Sequence, residues 1–216
     1  MRFWLLFTLM LTALPGCRQS DDIDRETEAR QHVQPHLGHV FGCPVFLRIV
    51  KETRTLELRI QEKGKWRLLK VYPILAMSGE AGPKTAEGDC QAPEGFYATT
   101  PGLLNPRSKF HLSFNIGYPN AYDKRLGRTG SFIMVHGGER SIGCFAMGDP
   151  AIEEIYTMVH QALQAGQKSV PIQIYPFEMT PERMAQERNS PHYDFWQYLL
   201  PAWQHTHAHN EPAPIR

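Results

Sequence analysis

Ser131-Phe132-Ile133-Met134-Val135-His136-Gly137-Gly138-Glu139-Arg140-Ser141-Ile142-Gly143-Cys144 is the stretch on which both fold and chemistry turn. Its first half, Ser131 to His136, is apolar and rich in β-formers, and it reads as a core strand that stops at the Gly137-Gly138 pair. Cys144 follows His136 by eight residues, so a thiol and an imidazole can meet across one loop. An imidazole within hydrogen-bond reach can take the thiol proton and later protonate a leaving amine. Gly143 lets the backbone approach closely, so that amides around Cys144 can face a developing oxyanion. The same spacing also suits a buried cysteine beside a core histidine, and spacing alone leaves both readings open.

Working outward, the flanking segments predict a mainly β domain. Val45-Phe46-Leu47-Arg48-Ile49-Val50 reads as a strand. In Thr55-Leu56-Glu57-Leu58-Arg59-Ile60, strict alternation puts the three aliphatics on one face. Gly64 marks a turn before Trp66–Tyr72, so these three strands form an antiparallel meander. Gly79, Gly82, Pro83, Gly88, Pro93 and Gly95 then mark a long irregular stretch of the kind that frames a site. Extended structure resumes at Gly95–Thr99, and Phe110, Leu112, Phe114 and Ile116 alternate through 108–118. After Asp149-Pro150 the apolar positions Ile152, Ile155, Tyr156, Val159 and Leu163 recur at helical spacing, with Asp149 as expected N-cap and Gly166 as stop. Val170–Tyr175 is the last strand, and Pro171 places it at a sheet edge. Tyr193–Leu200 reads as a short helix packed on the sheet.

The N-terminus reads as an export signal. Arg2 precedes an apolar run from Phe3 to Leu14, too short for a spanning helix, which needs about 20 apolar residues. The run ends at Leu14-Pro15-Gly16-Cys17, which resembles a bacterial lipoprotein processing site with Cys17 as the acylated new N-terminus. An ordinary signal peptide or an uncleaved anchor is the alternative. Arg18 after the cysteine favours sorting to the outer membrane in the lipoprotein pattern. The expected organisation is a signal peptide (1–16), a lipid-anchored tether or loosely packed first helix (17–43), a mainly β domain (44–180), a helical extension (181–204) and a flexible tail (205–216). The protein is expected on the periplasmic face of a membrane, or soluble in the periplasm if it is not lipidated.

Composition excludes other classes. The 216 residues carry 23 basic against 22 acidic side chains, and this near-balance without a Lys/Arg block argues against a nucleic-acid binder. The four cysteines are too few for a disulfide scaffold and include no CxxC zinc knuckle. Cys43 and Cys90 either pair in an oxidising compartment or stay as free thiols. His32, His36 and His39 would share a helical face, and His205, His207 and His209 alternate near the end. Neither set has the companions of a metal site, so neither a metal nor another cofactor is expected.

Several segments together resemble the L,D-transpeptidase (YkuD-type) catalytic domain, and within it the YafK-type branch. They are Gly82-Pro83-Lys84, Pro93-Glu94-Gly95-Phe96-Tyr97, Ser113 to Asp123, Gly127-Arg128-Thr129-Gly130, Met134-Val135-His136-Gly137, Ser141-Ile142-Gly143-Cys144 and Cys144-Phe145-Ala146-Met147. The resemblance covers about residues 44–180. It implies a β-sandwich-like catalytic domain with peripheral α-helices, acting on peptidoglycan stem peptides. By the same resemblance Cys144 attacks the carbonyl of the stem's third residue, typically meso-diaminopimelate, and forms a thioester. His136 is then the base, the carbonyl of Gly137 orients it, and Ser141, Ile142, Gly143 and Cys144 form the oxyanion loop.

Two features depart from many family members: the gap from histidine to cysteine is short, and Ala146 stands where an Arg is usual. Lys84, Arg128 and Arg140 are candidates for holding a stem carboxylate, or are ordinary surface charges. His111, Tyr118 and Tyr122 are candidate cleft residues, or structural aromatics. An amine acceptor would make the enzyme a transferase, whereas water would make it a hydrolase that trims stems or releases a murein-bound lipoprotein. A murein-binding lipoprotein without catalysis is the reading from another class.

Overall fold

The computed structural model describes residues 24–214. The strands are β1 (Val45–Val50), β2 (Thr55–Glu62), β3 (Lys65–Pro73), β4 (Gly95–Thr99), β5 (Leu104–Asn105), β6 (Ser113–Asn115), β7 (Met134–His136), β8 (Phe145–Ala146) and β9 (Val170–Tyr175). The helices are α1 (Arg25–Leu37), α2 (Ala121–Arg125), α3 (Asp149–Gln164), α4 (Pro181–Gln186) and α5 (Tyr193–His209). One mixed sheet has the order β3-β2-β1-β9-β4, and a second has β5-β6-β7-β8. This is the expected mainly β architecture with helices around it.

β1 is apolar on consecutive positions because both of its faces are covered. Val45, Leu47 and Ile49 join one core with the aliphatic face of β2, both sheets' inner residues and the apolar stripe of α3. On the other face, Val50 meets a second cluster with Tyr175, Phe177, Trp196, Leu199 and Trp203, so α5 roofs the first sheet. The meander β1-β2-β3 is antiparallel throughout. Its second turn is the two-residue Lys63-Gly64, both at positive φ, the hairpin geometry that suits right-twisted strands.

Five expectations are corrected. β9 is interior rather than an edge: it runs parallel to β1 and antiparallel to β4. Pro171 lies one residue ahead of the β1 ladder, which begins at Leu47–Ile172, so its missing N–H costs that ladder nothing. The polar segment before Pro44 forms a helix, one of its two expected forms, but docked rather than loosely packed, since Ala29, Val33 and Leu37 of α1 are buried and α1 packs on α3. Three small contacts at i, i+4 and i+8 suffice for docking but are too sparse to show as periodicity. The tail expected from 205 is helical to His209: Thr206 is buried and donates to Gln173 Oε1 at 3.1 Å, and Asn210 closes α5 in a left-handed C-cap.

The 108–118 and 131–136 segments shorten to three-residue strands. His111 and Phe132 adopt left-handed backbone at φ 65° and 53°, which breaks the extended run. Finally, Gly148 rather than Asp149 is the N-cap of α3. Cys17 and the apolar leader lie outside the described residues. Cys43, Cys90 and Cys144 are all free thiols, so the possible Cys43–Cys90 pairing is not formed. Among the described residues no helix is long and apolar enough to cross a membrane.

Candidate active site

Strand register brings the thiol to the imidazole. β7 and β8 run parallel with Val135 beside Phe145 and His136 beside Ala146. Counting back, Met134 stands beside Cys144, so Met134, His136 and Cys144 share the face opposite buried Val135. His136 and Cys144 are therefore diagonal neighbours on adjacent strands. Both line a cleft of about 690 Å³ whose other walls come from Ser141, Met134, Phe110, Phe132, Ile142, Lys109 and Arg140.

The imidazole is held from one side. His136 Nδ1 lies 2.6 Å from the Gly137 carbonyl, which can only accept, so Nδ1 carries the hydrogen and Nε2 presents a lone pair. Nε2 in turn lies 3.3 Å from Ser141 Oγ, whose hydroxyl donates to it. The His136 ring also packs against Phe110, with centroids 4.8 Å apart. Gly137 has no room for a side chain: a Cβ would come within 2.7 Å of the Phe110 carbonyl and 2.6 Å of Asp149 Oδ1. That carboxylate accepts the Gly138 N–H at 2.8 Å, pinning the His-Gly-Gly turn to the first turn of α3.

Cys144 Sγ accepts a hydrogen bond from Met134 N–H at 3.3 Å and donates to the Phe132 carbonyl at 3.5 Å. Burial pushes its thiol above the ordinary cysteine value, opposed by the Met134 N–H and the charge of Lys84. Burial likewise lowers His136, opposed by its bond to the Gly137 carbonyl. Both shifts run toward the neutral thiol and imidazole.

The rim is apolar. Phe132 and Ile142 are each 75% exposed and Phe110 is 51% exposed, placing three of the largest exposed hydrophobic side chains at one mouth. Left-handed backbone at Phe132 itself and at His111 accompanies this outward turn. Strained backbone of this kind concentrates at functional sites.

Of the six candidate substrate-binding residues, only Arg140 lines the cleft. Lys84 is buried and pairs with Asp89, sending only its charge toward Cys144. His111 points to Glu153 of α3 at 2.7 Å. Tyr118 is buried and donates to the carbonyls of Lys84 and Thr129. Tyr122 stacks on Tyr198, and Arg128 pairs with buried Asp123 while lying over Phe195. These five make their contacts away from the cleft lining.

The oxyanion-loop expectation needs one refinement, because the Gly143 N–H is already bonded to Ser78 Oγ at 2.7 Å. Sequence reasoning passed over Ser78, Asp149, Lys109 and the aromatic rim. None sits in a recognisable motif, and only the Gly-rich texture after residue 79 hinted that the neighbouring loop frames a site.

Comparison with known proteins identifies the family. The family model for the L,D-transpeptidase catalytic domain matches residues 44–174. The chain is 41% identical over 176 residues to YafK of Escherichia coli (strain K12), which carries a provisional L,D-transpeptidase name, covering 82% of this chain and 72% of that one. Among solved structures, Pgp2, a helical cell shape determining protein from Campylobacter jejuni, matches with a TM-score of 0.51 at 22% identity. That match covers 84% of this chain but only 65% of the Campylobacter protein, and it speaks to fold alone. The chain belongs to the L,D-transpeptidase catalytic domain family.

Proposed function

We propose that this member of the L,D-transpeptidase family is a cysteine acyltransferase acting on peptidoglycan stem peptides, with Cys144 as nucleophile and His136 as base. The observation that carries this reading is the placement of Cys144 and His136 on one face of β7 and β8 in one cleft, with Nδ1 tied to the Gly137 carbonyl. With the neutral pair favoured by burial, attack and proton transfer are coupled: the S–H proton moves to Nε2 as sulfur bonds to the carbonyl carbon. Negative charge gathers on the carbonyl oxygen. Its collapse breaks the C–N bond, and the proton on Nε2 passes to the leaving amine. A thioester remains, which an acceptor amine or water then resolves.

The stem's third residue, meso-diaminopimelate, is the proposed acyl donor. Arg140 and Lys109 at the cleft are the cations available to its free carboxylate. They take the place of the Arg that Ala146 does not supply. Cys17 is the proposed acylation site, holding the domain at the periplasmic face of the outer membrane, within reach of the wall.

The test incubates the mature protein with purified sacculi, with and without stem-linked lipoprotein, and resolves products by mass spectrometry. Wild type is expected to produce new 3–3 cross-links that Cys144→Ala does not. Released lipoprotein or trimmed stems, without cross-links, would assign the thioester to water and make the enzyme a hydrolase. Identical products from wild type and Cys144→Ala would sink the nucleophile and leave murein binding without catalysis. Fractionation of Cys17→Ser tests the anchor: it should lose membrane association.

A further inference from the structure

Ser78 lies outside the cleft lining, yet its hydroxyl holds the residue next to the nucleophile. Its Oγ accepts the Gly143 N–H at 2.7 Å and donates to the Cys90 carbonyl at 2.6 Å. Both bonds are short, and they use the hydroxyl as acceptor on one side and donor on the other. The Ser78 backbone is fixed as well, because its carbonyl accepts Ala92 N–H at 3.0 Å.

The loop behind Ser78 is anchored firmly. Gln91 bonds both Glu80 and the Gly82 carbonyl through its side chain. Glu87 N–H donates to Thr129 Oγ1, and Thr129 N–H to the Thr85 carbonyl. The loop's end is locked by the buried Lys51–Glu94 pair, whose members both also bond Gly82. Just before Ser78, Leu75 and Ala76 bond Ala146 of β8, two residues past the nucleophile. Ser78 therefore connects this hydrogen-bonded loop to the left-handed turn of the catalytic loop, Gly143 at φ 76°.

A peptide unit is planar, so fixing the Gly143 N–H fixes the orientation of the Ile142–Gly143 peptide. We propose that Ser78 is a positioning residue for the oxyanion site. Its hydroxyl commits the Gly143 N–H to the 78–92 loop and sets the turn so that the following amide, Cys144 N–H, faces the carbonyl oxygen under attack. The inference rests on the proposed role of Cys144.

The experiment compares two reactions of Cys144 in the same protein. Acylation by p-nitrophenyl acetate passes through an oxyanion, whereas alkylation by iodoacetamide displaces iodide and needs none. Ser78→Ala should slow acylation about 10- to 100-fold while alkylation stays within about two-fold of wild type, since thiol access and ionisation do not depend on the oxyanion site. Ser78→Thr, which keeps the hydroxyl, should restore most of the acylation rate.

Equal losses in both reactions, or failure of Ser78→Ala to fold, would make the hydroxyl a general structural prop and overturn the proposal. Unchanged acylation would overturn it directly. Faster acylation would also do so, by showing that Ser78 competes with substrate for the Gly143 N–H. If wild type itself is not acylated at Cys144, the nucleophile assignment fails, an outcome separate from any effect of Ser78.

Discussion

Glu94→Gln should destabilise the protein far more than its chemical subtlety suggests. Glu94 and Lys51 are 0% and 2% exposed and form an ion pair at 2.9 Å. Glu94 Oε1 also accepts the Gly82 N–H at 2.6 Å, and Oε2 accepts Trp196 Nε1 at 2.8 Å. Lys51 spends its remaining donors on the carbonyls of Gly82 and Ala92. Breaking a buried pair from one side leaves the other charge uncompensated, at a cost of about 3–5 kcal/mol. An amide keeps the shape and one acceptor, which places Glu94→Gln toward the lower end, about 3 kcal/mol. For a chain of this size that is a fall of roughly 6–12 °C in Tm.

The cycle of Glu94→Gln, Lys51→Met and the double variant, followed by urea unfolding, isolates the pair. Because the double variant strands no charge, it should recover about 1–3 kcal/mol relative to the sum of the singles. Two results would refute the reasoning: a loss under about 1 kcal/mol for Glu94→Gln, or strict additivity in the cycle.

Further outcomes follow from the same geometry. Iodoacetamide alkylation of Cys144 should rise with an inflection above the ordinary cysteine value, since burial raises its thiol. An inflection near neutral pH would instead indicate a resting thiolate–imidazolium pair. His136 is held below its ordinary value by burial, so the unfolded chain takes up its proton first. Its contribution to stability is present above the unfolded pKa of about 6.5 and is lost as pH falls from there toward the folded value. Urea midpoints between pH 7.5 and 5 should therefore fall less in His136→Gln than in wild type. Phe132→Gly should leave stability within about 1 kcal/mol, because relief of left-handed strain, about 1–2 kcal/mol, is offset by glycine's entropy cost of about 0.5–1. The same variant should raise KM on stem peptides, as 75% exposure leaves the ring free to meet substrate. Ending the chain at residue 204 removes Thr206 and the Asn210 bond from Arg59 Nη1. The result should be a loss of about 1–3 kcal/mol in urea unfolding, where a disposable tail would give none.

How far the sequence disclosed this molecule depended on the range of the interaction. The β1–β3 meander was legible because alternation and a two-residue turn are local. His136 and Cys144 were legible because a parallel pairing of two short strands makes eight residues of sequence into a diagonal contact. Interior β9 was misread, because an edge strand and a position one residue ahead of the β1 ladder both tolerate Pro171. Phe110 carried the correct alternation yet faces the cleft, since a left-handed residue at His111 reverses the pattern and no sequence rule forbids it there. Lys84, Tyr118, Tyr122 and Arg128 lie in family-like segments, where substrate contacts and framework look alike in sequence. Their partners, Asp89, the Thr129 carbonyl, Tyr198 and Asp123, show that such motifs also encode framework.

That distinction bears on the chemistry. A pre-formed thiolate needs a charged environment around the sulfur, and here the cation whose charge eases ionisation, Lys84, is itself paired with Asp89. The cleft is instead floored and rimmed by Phe110, Phe132, Met134 and Ile142. Such walls raise the cost of any isolated charge and so favour the neutral thiol and imidazole. A neutral base with Nδ1 fixed on the Gly137 carbonyl can act only through Nε2, and Ser141 Oγ holds that lone pair in the resting protein. In the proposed mechanism, substrate entry turns the S–H from the Phe132 carbonyl toward Nε2 and displaces the Ser141 hydroxyl. Ser141→Ala removes that competitor, and its effect on the acylation rate at saturating probe separates a blocking hydroxyl, where the rate rises, from one that aligns the imidazole, where it falls.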